Sequence, residues 1–164
     1  MNDDSYKNLK TNLIVWVVYS TSNFKLHLTN ELSQCVNVNI EWIELDLFNI
    51  DLVKNKQTPD LIYIETGDSW AQKVAQVYSS DSNLQHNHTT LIVFGDEADT
   101  ASLKMALRLG ATDYFSRSAD LGELYPLLKS TAEEKVYNKK IPKITISKNL
   151  RLAILWSNII LTTM

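Results

Sequence analysis

Residues 106–117 read ALRLGATDYFSR, and their order is helix, stop, strand. Leu103, Ala106 and Leu107 lead into the stretch at helical spacing. Gly110 ends that helix, because glycine accepts the left-handed conformation that follows a helix end. Tyr114 and Phe115 then form a short strand. A helix handed directly to a strand is the joint of an alternating α/β chain, and the neighbouring segments decide whether the joint repeats.

It repeats upstream and downstream. Leu13 to Tyr19 (LIVWVVY), Leu61 to Ile64 (LIYI) and Leu91 to Phe94 (LIVF) are continuous apolar runs, the pattern of strands buried on both faces of a parallel sheet. Val38, Ile40 and Trp42 alternate with Asn39 and Glu41, which reads as a strand nearer an edge. Between the strands lie helical faces. One is Phe24, Leu28, Leu32 and Cys35, capped by Ser22 or Asn23. Another is Trp70, Val74 and Val77. The last is Leu121, Leu124, Leu127 and Leu128, where Asp120 and Glu123 resemble a capping box and Pro126 delays the helix start. Leu47 to Lys56 fits a short helix, and Ser79 to Thr89 a polar loop. Trp16, Trp42 and Trp70 fall on core faces. Five strands alternating with helices imply an α/β fold with a parallel sheet covered on both faces. In such sheets function gathers at the carboxyl ends of the strands. Here those are Tyr19-Ser20, Asp46, Glu65-Thr66, Gly95-Asp96 and Ser116-Arg117.

Composition narrows the classes. The chain has 164 residues, 45% hydrophobic and 21% charged, which suits one domain and a tail. The net charge of -3 and pI near 5.6 argue against an extended nucleic-acid surface. The single cysteine, Cys35, forms no internal disulfide and reads as a small buried residue. Met1 to Asn12 lacks the pattern of a signal peptide, and no apolar run is long enough for a membrane span. A cytoplasmic protein is expected. The expected divisions are a polar tail at 1–11, the domain at 12–135, and a linker with an apolar tail at 136–164. Within the last, residues 150–161 (LRLAILWSNIIL) span about 18 Å as a helix, too short for a bilayer. They are expected to pack on the domain or to dock on a partner or membrane surface. His86 and His88 read as a surface loop, His27 as a partly exposed helix residue, and Gly67-Asp68 as a turn.

These segments resemble a response-regulator receiver domain. ALRLGATDYFSR is similar to the receiver's end, where a helix, a Gly-Ala turn, an Asp-Tyr strand and a Lys-Pro loop follow one another. PDLIYIE, residues 59–65, is similar to the third receiver strand, which ends on the phosphorylated aspartate. The resemblance implies a three-layer CheY-like (flavodoxin-like) fold with a five-stranded parallel sheet. It also implies where phosphotransfer would sit. That chemistry needs a carboxylate nucleophile, two further acids for Mg²⁺, a hydroxyl and a lysine. Laid onto this chain, the acidic pair falls on Tyr19 and Ser20, the acceptor on Glu65, the hydroxyl on Gly95 and the lysine on Arg117. The proline after the lysine falls on Ser118. None of these positions keeps its usual residue, so no phosphotransfer, metal or cofactor is expected and the chain reads as no enzyme. Glu65 facing Arg117 would imitate a charged, locked state. The plainer expectation is two solvated residues at strand ends, since exposed pairs contribute little.

Degenerate receivers of this kind resemble the N-terminal domain of the TadZ/CpaE family of Flp pilus assembly proteins, where the domain serves localisation and dimerisation. Lys139 to Ser147 (KKIPKITIS) is similar to the linker and entering strand that lead to that family's ATPase domain. The Gly-rich phosphate loop does not follow, so nucleotide is not expected to bind. The reading is a pseudo-receiver that works through protein contacts in pilus or secretion assembly, recruited to a membrane-associated machine. A stand-alone response regulator with an unusual site and a small nucleotide-binding α/β protein stand beside it. For self-association, Leu103, Ala106, Leu107 and Gly110 are expected to face the sheet. Met105, Arg108 and Leu109 then form an outer patch with Asp113 within reach, suited to a twofold homodimer.

Overall fold

The computed structural model describes residues 8–81, 83–84 and 89–140. The expectations for residues 1–7, His86, His88 and the segment 141–164 lie outside them. The chain alternates as β1 (Asn8–Tyr19), α1 (Ser22–Leu32), β2 (Val36–Glu44), α2 (Ile50–Val53), β3 (Leu61–Glu65), α3 (Trp70–Ser80), β4 (Thr90–Gly95), α4 (Thr100–Arg108), β5 (Asp113–Ser116) and α5 (Leu121–Lys140). A 3₁₀ turn, Leu45–Leu47, precedes α2. The five strands form one sheet in the order β2-β1-β3-β4-β5, and every pairing is parallel.

The apolar runs are continuous because the sheet is buried on both sides. Along β1, Leu13, Val15 and Val17 face the layer built with Phe24, Leu28, Leu124 and Leu128 of α1 and α5. Trp16 and Val18 face the opposite layer, with Trp70, Val74 and Val77 of α3. Alternation would have left one side wet, and a run serves both. β2, the strand with alternating residues, is an edge of the sheet. Cys35 is buried. Trp16 and Trp70 are core residues, whereas Trp42 is half-buried and meets Tyr19 edge-on at a centroid distance of 6.4 Å. His27 is half-buried, and its Nε2 lies 2.7 Å from the Ala119 carbonyl oxygen.

Several local expectations are corrected. β1 starts at Asn8, because Leu9 is 4% exposed and its partner strand runs alongside at Val36. The cap of α1 is Thr21, whose hydroxyl accepts from Phe24 N–H; Ser22 is already helical. Pro126 does not delay α5. The capping box closes in both directions, Glu123 N–H to Asp120 at 2.9 Å and Asp120 N–H to Glu123 at 3.1 Å. The helix therefore starts at Leu121 with Pro126 inside it. On α4 the buried side is Ala106 alone. Leu107 is 66% exposed and Leu103 37%, while Leu109 packs on the core with Ala111 and Tyr114.

Candidate functional site at the carboxyl end of the sheet

β3 ends on Glu65, which is 0% exposed. A carboxylate is costly to bury unless its charge is matched and its lone pairs are taken. Both conditions are met here. Oε1 accepts from Ser20 N–H at 2.7 Å and Thr21 N–H at 2.8 Å. Oε2 accepts from the Thr21 hydroxyl at 2.8 Å and from Arg117 Nε at 2.9 Å. The β1–α1 turn supplies the neutral donors, and Thr21 is also the cap of α1, so the carboxylate lies at a helix N-terminus where negative charge is favoured.

Arg117 closes the site from the turn after β5. Nη1 donates to Asp96 Oδ1 at 2.8 Å, and Nη2 donates to Thr66 Oγ1 at 2.7 Å and to the Thr66 carbonyl at 3.1 Å. A planar guanidinium reaches these acceptors together, which a lysine ammonium on a flexible stem does not match. The Ser20 hydroxyl donates to the same Thr66 carbonyl at 3.0 Å. Two glycines keep the layer tight. A Cβ on Gly67 would lie 2.7 Å from Leu45 Cδ2 and 2.9 Å from Ser20 Cβ. A Cβ on Gly95 would lie 2.2 Å from the Tyr114 hydroxyl, which donates to the Asp96 carbonyl at 2.9 Å.

Ser20, Glu65, Gly95 and Arg117 are thus brought together, and the expectation that Glu65 and Arg117 are solvated is corrected. Tyr19 is not among them. Its ring turns to Trp42, with Lys25 Nζ 4.9 Å from its centroid. Thr66 and Asp96 stand at strand ends marked in the sequence, but their bonds to Arg117 are new. Thr21 and Tyr114 had not been singled out for the site, and only their adjacency to Ser20 and Phe115 hinted at it. On the α4 side Met105 is 39% exposed, and Arg108 and Asp113 are exposed. Leu109 belongs to the core instead of the patch.

The residues do not fit the magnesium ion that receiver chemistry uses. Tyr19 and Ser20 stand where the resemblance expects the acidic pair, both oxygens of Glu65 are spent, and a guanidinium stands 2.9 Å from one of them. Among the described residues no three of His, Cys, Asp and Glu converge as metal ligands.

No protein-family model matches the sequence, and no curated protein does. Solved structures match throughout the domain. A response regulator from Thermotoga maritima is similar at a TM-score of 0.57 and 18% identity, over 74% of this chain and 98% of that one. The pilus assembly protein CpaE from Caulobacter crescentus is similar at 0.56 and 16%, over 73% and 93%. A fusion carrying amino acids 181–211 of the yeast Spc42 trimeric coiled coil is similar at 0.63 and 15%, over 96% of each chain. The fold is that of a CheY-like receiver domain. At these identities the likeness speaks to fold. No described helix is long and apolar enough to cross a membrane.

Proposed function

We propose that this chain is a receiver-like module without phosphotransfer, acting through protein contacts in the assembly of a pilus or secretion machine. The observation that carries the first half is the carboxylate of Glu65. It has no solvent exposure, and each of its oxygens already takes two donors. A nucleophile needs a free lone pair and an approach path, and Glu65 has neither. The second half leans on the likeness to CpaE, whose name is that of a pilus assembly protein, and on the helix-Gly-Ala-x-Asp-Tyr block. On this reading the module acts in the cytoplasm and is recruited to its machine by partners.

For contact with a second copy the best surface is the exposed part of α4, where Met105, 39% exposed, shares one side with Arg108, and Leu103 and Leu107, 37% and 66% exposed, share the other. Arg108 and Asp113 beside it are opposite charges that a twofold axis brings into register. Met105→Glu with Leu107→Glu is expected to abolish any concentration-dependent dimer seen by sedimentation. A wild-type chain that stays monomeric at high concentration removes this surface from the proposal.

The chemistry is tested with millimolar Mg²⁺ and acetyl phosphate. Intact-mass measurement is expected to show no phosphoryl group gained. A gain on Glu65 or a neighbouring carboxylate overturns the reading and returns the chain to the class of stand-alone response regulators.

A further inference from the structure

The corner made by Tyr19 and Trp42 belongs neither to the Glu65–Arg117 cluster nor to the α4 face. Tyr19 ends β1, and Trp42 lies in β2, the edge of the sheet opposite β5. The two rings stand 6.4 Å apart at an interplanar angle of 70°. Over both lies the ammonium of Lys25, 4.9 Å from the Tyr19 centroid and 5.9 Å from that of Trp42. Among the described residues no carboxylate forms an ion pair with Lys25. Lys25 is also near the start of α1, whose first turn holds no acid, and the helix dipole gives a cation nothing at that end. The negative faces of the rings are what hold it. Tyr19, Lys25 and Trp42 are all half-buried, so the corner is open to solvent.

At the rim stands Glu44, which is exposed. Its Oε1 accepts from the Tyr19 hydroxyl at 3.5 Å, a long and weak bond. Tyr19 and Glu44 also line a cleft of about 340 Å³ that holds Asp46 and Asp68 and no basic side chain. Lys73 reaches Asp46 only at 4.0 Å.

We propose that Tyr19, Trp42 and Glu44 receive an arginine side chain of a protein partner, and that Lys25 keeps the place in the free chain. Lys25 takes the ring faces and leaves the carboxylate. A guanidinium uses both, because its plane stacks on a ring while its fork bonds a carboxylate. An incoming arginine therefore gains a contact that Lys25 lacks, and a lysine from the partner would only repeat what Lys25 already does. Further positive charges on the same segment meet Asp46 and Asp68 in the cleft. This surface is independent of α4 and of any dimer.

The full chain is titrated with acetyl-triarginine amide and followed by the indole N–H signal of Trp42, assigned by its loss in Trp42→Phe. A saturable shift is expected. Lys25→Gln is expected to lower Kd about two- to five-fold, the factor by which an exposed cation–π contact keeps the place occupied. Lys129→Gln, the same charge change at an exposed position of α5, is expected to leave Kd unchanged. Tyr19→Leu is expected to abolish saturation. Acetyl-trilysine amide is expected to bind more weakly than the arginine peptide, and Glu44→Gln to erase that preference. The proposal is overturned by no saturable shift in Lys25→Gln, by equal tightening in the two lysine variants, by equal affinity for the two peptides, or by a preference that survives Glu44→Gln. Should Tyr19→Leu not fold, the Lys25→Gln and Glu44→Gln comparisons decide alone.

Discussion

The sheet carries a carboxylate–cation pair at each end, and the two are made of the same parts. At the carboxyl end Glu65 holds Arg117 at 2.9 Å and accepts two backbone N–H bonds. At the amino end Asp60 holds Lys135 at 2.9 Å and accepts Ile14 N–H at 2.8 Å. Water separates them. The side chains of Glu65 and Arg117 are 0% and 32% exposed, those of Asp60 and Lys135 21% and 26%. The carboxylate of Glu65 has no solvent to fall back on, whereas Asp60 keeps some. The first pair is obligatory once formed, and the second is an adjustable tie.

The largest effect expected from this difference is at Arg117. Arg117→Ala leaves a buried charge without its counterion, which costs about 3–5 kcal/mol. At roughly 2–4 °C per kcal/mol for a chain of this length, Tm falls by roughly 10 °C. Arg117→Lys is expected to recover only part of that, since the ammonium loses the fork. Thermal melts of both variants test it, and a loss no greater than that of Lys135→Ala erases the contrast.

Lys135→Ala comes next, at about 0.5–1 kcal/mol, because Asp60 regains water and keeps Ile14 N–H. Salt sharpens the comparison. At 1 M NaCl, where screening acts within about 3 Å, the penalty of Lys135→Ala is expected to shrink, while that of Arg117→Ala stays. Equal salt sensitivity would mean that the Glu65 site is wetter than its burial.

The smallest effect lies on a half-buried carboxylate that only caps a helix. Asp99 caps α4, accepting from Ser102 N–H at 3.0 Å and from its hydroxyl at 2.7 Å. The Ser102 backbone bond, then its hydroxyl, hold Asp99 below the ordinary carboxylate range. A depressed folded value stabilises the protein above the unfolded value, near pH 4, and that stability is lost as pH falls further. The Tm gap between wild type and Asp99→Asn is therefore expected to narrow only below about pH 4. A gap that widens there contradicts the assignment.

Sequence patterns were most legible where burial is two-sided. LIVWVVY, LIYI and LIVF are strands because no other use of such runs leaves so little apolar surface wet. The capping box of α5 was legible because its two residues act on each other locally. What escaped depends on neighbours far along the chain. Glu65 reads as a solvated strand end until Arg117, 52 residues on, is found 2.9 Å away. Leu107 lies at a core-facing spacing, yet it is exposed and Ala106 is the buried residue of α4. Thr21 took the cap from Ser22 because its hydroxyl also serves Glu65, which local spacing does not register.

The tie from Lys135 to the Asn12 carbonyl, at 2.9 Å, joins residues 123 positions apart. It gives the domain an order of completion. β1 is the strand shared by β2 and β3, yet the layer that covers its Leu13, Val15 and Val17 includes Leu124 and Leu128 of α5. During synthesis all five strands are made while that cover is still missing. At about 5–20 residues per second, the 20 residues of α5 take roughly 1–4 s to add. Through that interval the nascent chain presents an apolar sheet face to its surroundings. The window in which a chaperone is most useful to this protein is thus set by the last of its described helices.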